Sequence, residues 1–127
     1  LLREPKDGLF VSTGVMTQKC LSAAELLVKD GLAAGVLHMH TIKPLDSESI
    51  NELIPSVKKL VTVEEHSKIG GLGSAILEEV SDTCPEQLHK IRRVGIDDYF
   101  ANQYGSQETL LDAFGISIER IAQVMRE

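Results

Sequence analysis

Val61-Thr62-Val63-Glu64-Glu65-His66-Ser67-Lys68-Ile69-Gly70-Gly71-Leu72-Gly73-Ser74-Ala75-Ile76 passes from a β-branched apolar run, through charged residues and a glycine cluster, into apolar residues at helical spacing. With Leu60 in front, its first part suits a strand buried on both faces. Its last part continues through Leu77 and Val80 as a helix. A strand that feeds a helix through a glycine-rich loop is the junction where open α/β sheets place functional groups.

The same alternation extends outward in both directions. Leu9 to Thr13 is a short apolar run stopped by Gly14, and Met16, Cys20, Ala23, Ala24, Leu27 and Val28 follow at three- and four-residue spacing. That pattern predicts a helix ending near Asp30-Gly31. Ala34 to His40 predicts a second strand, interrupted by Pro44, and Asp46 is placed to cap a helix carrying Ile50, Leu53, Ile54 and Val57. Pro55 should end or kink that helix early. Beyond the central stretch, Leu88 to Val94 can form a fourth strand. Ser106 can cap a helix with Leu110, Leu111 and Phe114 that stops at Gly115, and Ser117 a last helix with Ile118, Ile121, Ala122 and Met125. Strands alternating with helices make a mostly parallel sheet covered by helices, an α/β fold.

At 127 residues the chain is expected to be one domain, residues 1–127, with an ordinary core. A net charge of -6 argues against nucleic acid or an anionic membrane as a partner. No stretch approaches the roughly 20 apolar residues that span a bilayer, and the N-terminus has no signal-peptide pattern. It also begins without Met, which reads as a piece of a longer, cytoplasmic protein.

The candidate groups each have a plain alternative. Gly70, Gly71 and Gly73 could let helix-start amides receive an anion, but they lack the spacing of a dinucleotide fingerprint or a P-loop. Close packing against a partner chain or neighbouring domain explains them better. Glu64, Glu65 and His66 could be a base with supporting acids, yet consecutive residues at a strand end point to alternating sides. A polar turn, or a subunit contact, is the simpler reading. His38 and His40 share one strand face but lack further ligands at metal-binding spacing. Cys20 reads as a small core residue, Cys84 as a turn residue, and His89, Lys90, Arg92 and Arg93 as surface. The residues therefore give an α/β domain with an interaction loop and no reaction.

Taken together, the segments resemble the C-terminal domain of transketolases. The same domain occurs in 1-deoxyxylulose-5-phosphate synthases and 2-oxo-acid dehydrogenase beta subunits. Thr41-Ile42-Lys43-Pro44-Leu45-Asp46 is similar to the family's strand-exit motif, and Val61 to Gly73 to its most recognisable loop. Gly95-Ile96-Asp97-Asp98-Tyr99-Phe100, with Gly105-Ser106 and Glu108-Thr109-Leu110-Leu111, resembles the third signature, and Gly115-Ile116-Ser117 fits the ending. The wording is closest to the C-terminal subunit of split transketolases.

The resemblance implies a three-layer α/β/α fold with a five-stranded mixed sheet. Leu9 to Thr13 would lie at its centre, between Ala34 to Met39 and Leu60 to Val63. An antiparallel remnant at Leu1 to Glu4 would lie outside the second strand, and Leu88 to Val94 at the opposite edge. It implies a homodimeric parent that moves two-carbon ketol units between sugar phosphates, using thiamine diphosphate and a divalent metal, usually magnesium, held by two other domains. The Gly-Asp-Gly…Asn motif and activating Glu of those domains are not in this sequence. No catalytic, cofactor-binding or metal-binding residue is therefore assigned here. Lys43, Pro44, Asp46, Glu64, Glu65, His66, Gly70, Gly71, Gly73, Asp98, Gly105 and Ser106 are expected as motif or interface residues. The alternatives are the other two parents of the same domain, or a free-standing anion-binding regulatory module. The His38 to His40 stretch departs from the family pattern, so no role for it is inherited.

Overall fold

A computed structural model describes residues 1–14, 16–40, 44–67, 71–96 and 116–127. Four strands, β1 (Gly8–Ser12), β2 (Ala34–His38), β3 (Lys59–Ser67) and β4 (Ile91–Ile96), form one parallel sheet in the order β2-β1-β3-β4. The helices are α1 (Met16–Val28), α2 (Ser47–Leu53), α3 (Leu72–Thr83) and α4 (Ile118–Arg126). Strand order and direction follow the family expectation. The expected fifth strand is reduced to a single antiparallel bridge, Arg3 to Val36.

Alternation along the strands divides the core in two. Phe10, Val36, Val61, Val63 and Val94 pack with Met16, Cys20, Ala23, Ala24 and Leu27 of α1 and with Ile121, Ala122, Val124 and Met125 of α4. Leu9, Val11, Leu37, Leu60 and Ile91 pack with Ile50 of α2 and with Leu72, Ile76 and Val80 of α3. Successive strand residues point to opposite faces, so adjacent residues serve different clusters. Both Leu9 and Phe10 are fully buried as a result.

Local chemistry sets the ends of the elements. Gly31, at φ 75°, takes the left-handed turn after α1, and the Leu32 amide donates to the Leu27 carbonyl at 3.1 Å. The Asp46 carboxylate accepts from the Ser49 hydroxyl at 2.7 Å and the Ser49 amide at 3.2 Å, capping α2. Pro55 converts the end of that helix to a 3₁₀ turn, Ile54–Ser56. Ser117 caps α4 through the Arg120 amide at 3.1 Å.

Two strand boundaries differ from the sequence expectation. Pro85 opens a 3₁₀ stretch, Pro85–Lys90, so β4 begins at Ile91 and not at Leu88. β3 runs on to Ser67, so Glu64, Glu65 and His66 belong to the strand and are not a turn. The helix expected around Leu110 to Phe114 lies outside the described residues.

Candidate functional site

The β3–α3 junction is the place where sequence reasoning locates function, and the chain itself fills it. Glu64 is completely buried. Its carboxylate accepts from the Leu72 amide through Oε1 and the Gly73 amide through Oε2, each at 2.8 Å. Helix N-termini carry unsatisfied amides and a positive dipole end, and here an internal carboxylate satisfies both needs. The cap position itself is Gly71, which has no side chain to do this. An external phosphate at these two amides would have to displace Glu64.

Gly73 explains why the cap closes so tightly. A Cβ there would fall 2.9 Å from Thr62 Oγ1 and 2.7 Å from Arg93 Cδ. Here the surface that Gly73 approaches closely is the chain's own β3 and β4. Glu65 turns toward the exit of β1, where a Cβ on Gly14 would lie 2.7 Å from its Oε1. Gly14 has φ 57°, so two independent constraints meet at that turn.

The other sequence-nominated residues disperse. Pro44 is exposed. Asp46 is committed to α2, and the Ser49 hydroxyl, followed by the Ser49 amide, holds its carboxyl below the ordinary carboxylate range. His66 contributes backbone to β3. Lys43, Gly70, Asp98, Gly105 and Ser106 lie outside the described residues. Among the described residues no group of three or more His, Cys, Asp or Glu side chains could hold a metal, and no helix is long and apolar enough to cross a membrane.

A second polar cluster went unrecognised in the sequence. Ser12 and His38 are register partners at the ends of β1 and β2, and Thr17 is the second residue of α1. The Ser12 hydroxyl lies 2.8 Å from Thr17 Oγ1, which is 2.6 Å from His38 Nδ1. The His40 ring packs edge-to-face on His38, with centroids 4.6 Å apart. Three residues from three elements are invisible to a linear motif search, and only the register between β1 and β2 would have joined them. The chain gives buried Ser12 a partner and leads outward to exposed His40.

Cys20, also beside Ser12, has its thiol pushed up to about 12 by burial, with the Ser12 hydrogen bond opposing. A thiolate is the reactive species, so Cys20 is inert at neutral pH. With a thiol reagent at pH 7.5, partly exposed Cys84 is expected to react in the folded protein, and Cys20 only after denaturant is added. Two equally fast thiols would contradict this packing.

Sequence and structure comparisons agree with that geometry. The family described as "Transketolase, C-terminal domain" matches residues 1–121. The "6-deoxy-6-sulfo-D-fructose transketolase subunit SqwH" of Clostridium sp. (strain MSTE9) is 39% identical over 127 residues, covering 100% of this chain and 38% of that protein. The 1-deoxy-D-xylulose-5-phosphate synthase of Heliobacterium modesticaldum is 39% identical over 128 residues, again 100% of this chain but 19% of its own length. A solved structure described as "Split gene transketolase, inactive beta4 tetramer" superposes with a TM-score of 0.87 at 36% identity, over 98% of this chain and 39% of that one. The chain therefore spans well under half of each of these relatives. With a parallel sheet in the expected order, a self-capped β3–α3 junction and a match along nearly its whole length, the chain belongs to the transketolase C-terminal domain family.

Proposed function

We propose that this chain is a non-catalytic assembly domain of a thiamine-diphosphate-dependent, transketolase-like transferase. The parent would transfer two-carbon ketol units between sugar phosphates, or their sulfonate counterparts, as a cytoplasmic homodimer. The carrying observation is the Glu64 cap. The β3–α3 junction, where helix-start amides could receive an anion, has its Leu72 and Gly73 amides bound to the chain's own carboxylate. That arrangement disfavours the free-standing anion-binding module and supports a role in which this end of the sheet serves contact with a neighbouring domain.

The described residues do not fit thiamine diphosphate or its metal. The two convergent helix-start amides are taken, and no cluster of candidate metal ligands occurs among these residues. No step of the reaction is therefore assigned to them. In this reading other domains or subunits bind the cofactor, while this one supplies surface. The complete fold would be the three-layer, five-stranded form, with its antiparallel edge strand built along the Arg3–Val36 bridge.

The test is to assay the chain alone with thiamine diphosphate, magnesium and ketose and aldose phosphates, then with its companion polypeptide. The expected result is no ketol transfer alone and turnover on recombination; turnover by the chain alone would sink the proposal. A second reading, 1-deoxy-D-xylulose-5-phosphate synthase as parent, is favoured by the equal 39% identity to that relative. Formation of 1-deoxy-D-xylulose 5-phosphate by the recombined enzyme would select it.

A further inference from the structure

A cavity of about 240 Å³ opens at the end of the sheet opposite Glu64, where β1, β2 and β3 begin. Leu32, Ala34 and Met125 make its apolar wall, and Asp7, Lys58, Lys59, Arg126 and Glu127 bring charge. Gly8 lies at the start of β1 under Met125, whose Sδ a Cβ on residue 8 would strike.

The charges are unequally committed. Asp7 Oδ2 accepts from the Ala33 amide at 2.7 Å, and Glu127 Oε1 accepts from Arg120 at 3.2 Å. Arg126 is paired with Asp30 at 2.7 Å. Lys59 donates one of its three N–H groups to the Val124 carbonyl at 3.2 Å. Lys58 is exposed, and its ammonium has no ion pair or hydrogen bond among the described residues. Two lining lysines thus keep spare ammonium donors beside an apolar hollow in a chain of net charge -6.

We propose that this cavity binds a small organic monoanion, its anionic head taken by Lys58 and Lys59 and its short apolar body laid against Leu32, Ala34 and Met125. Burial, followed by repulsion from Arg92, holds Lys59 below its ordinary ammonium range, with Glu127 opposing. A bound anion would relieve that repulsion. The site lies at the opposite end of the strands from the glycine-rich junction and does not depend on the assembly role.

The test uses the whole chain with ¹³C-methyl methionine, following Met125 by NMR during titration with hexanoate, hexylammonium and inorganic phosphate. Hexanoate is expected to shift the Met125 methyl saturably and to leave Met16 and Met39 in place. Hexylammonium should shift none of the three. Lys59→Met and, as a surface variant that leaves the core untouched, Lys58→Met should each weaken hexanoate by about tenfold. Equal response to hexylammonium overturns the proposal. So does phosphate saturation with hexanoate silent, or unchanged affinity in both variants while Met16 and Met39 keep their native positions.

Discussion

Glu64→Ala is expected to lower the stability of the domain by about 3–5 kcal/mol, because it strips both acceptors from a buried helix start. The Leu72 and Gly73 amides would be left without partners in a fully buried place. Glu64→Gln separates acceptor loss from cavity formation. It keeps the shape and one acceptor but turns an NH₂ toward the second amide, so about 2 kcal/mol is expected. Urea denaturation measures both. For a domain of this size the alanine variant should melt on the order of 10–15 °C lower. Acetate or formate at roughly 100 mM should recover part of the alanine loss by entering the vacated space, a mass-action effect with no counterpart in the parent protein. An alanine variant within 1 kcal/mol of the parent would show that the cap is not what holds α3 to β3.

Gly35→Ala is the second large effect, and its sign runs against backbone propensity. Glycine inside a strand is ordinarily worse than alanine by about 0.5–1 kcal/mol. Here the added Cβ would sit 2.5 Å from the Pro5 nitrogen and 2.7 Å from the Arg3 carbonyl oxygen. These are backbone atoms, with no flexible side-chain end to move aside. Residues 1–7 would have to lift away, breaking the 2.8 Å bond from the Leu2 amide to the Val36 carbonyl and the 3.0 Å bond from the Val36 amide to the Arg3 carbonyl. A loss of about 2–3 kcal/mol is expected, with new tryptic cleavage after Arg3 and Lys6 under native conditions. Resistance to trypsin together with unchanged stability would mean that the segment does not lie on β2.

Much of this fold was legible in the sequence because its signals are local. Asp46 and Ser117 cap the helices they were expected to cap, Pro55 ends α2, and the apolar spacing of α1 matches its buried face. The strand order was not a local property and came only from resemblance. Leu88 misled the start of β4, because the 3₁₀ stretch that Pro85 opens keeps it partly buried without pairing it. The β3–α3 junction was located, but the internal Glu64 cap within it was not foreseen. A carboxylate on a strand and the amides it serves, eight and nine residues later, have no fixed spacing rule. The sequence shows charged residues beside glycines and does not show that they satisfy one another. The Ser12, Thr17 and His38 cluster was unreadable for a related reason, since its members meet only through pairing between β1 and β2.

Helix α4 also governs the order in which this domain can be completed as it leaves the ribosome. The side of the sheet carrying Phe10, Val61 and Val63 is shared by α1 and α4, and α4 is the last described element of the chain. Until Ile121, Ala122 and Met125 emerge, part of that apolar side is bare and open to misassociation. A nascent chain stalled before α4 would therefore be a client for chaperones until that helix covers the sheet.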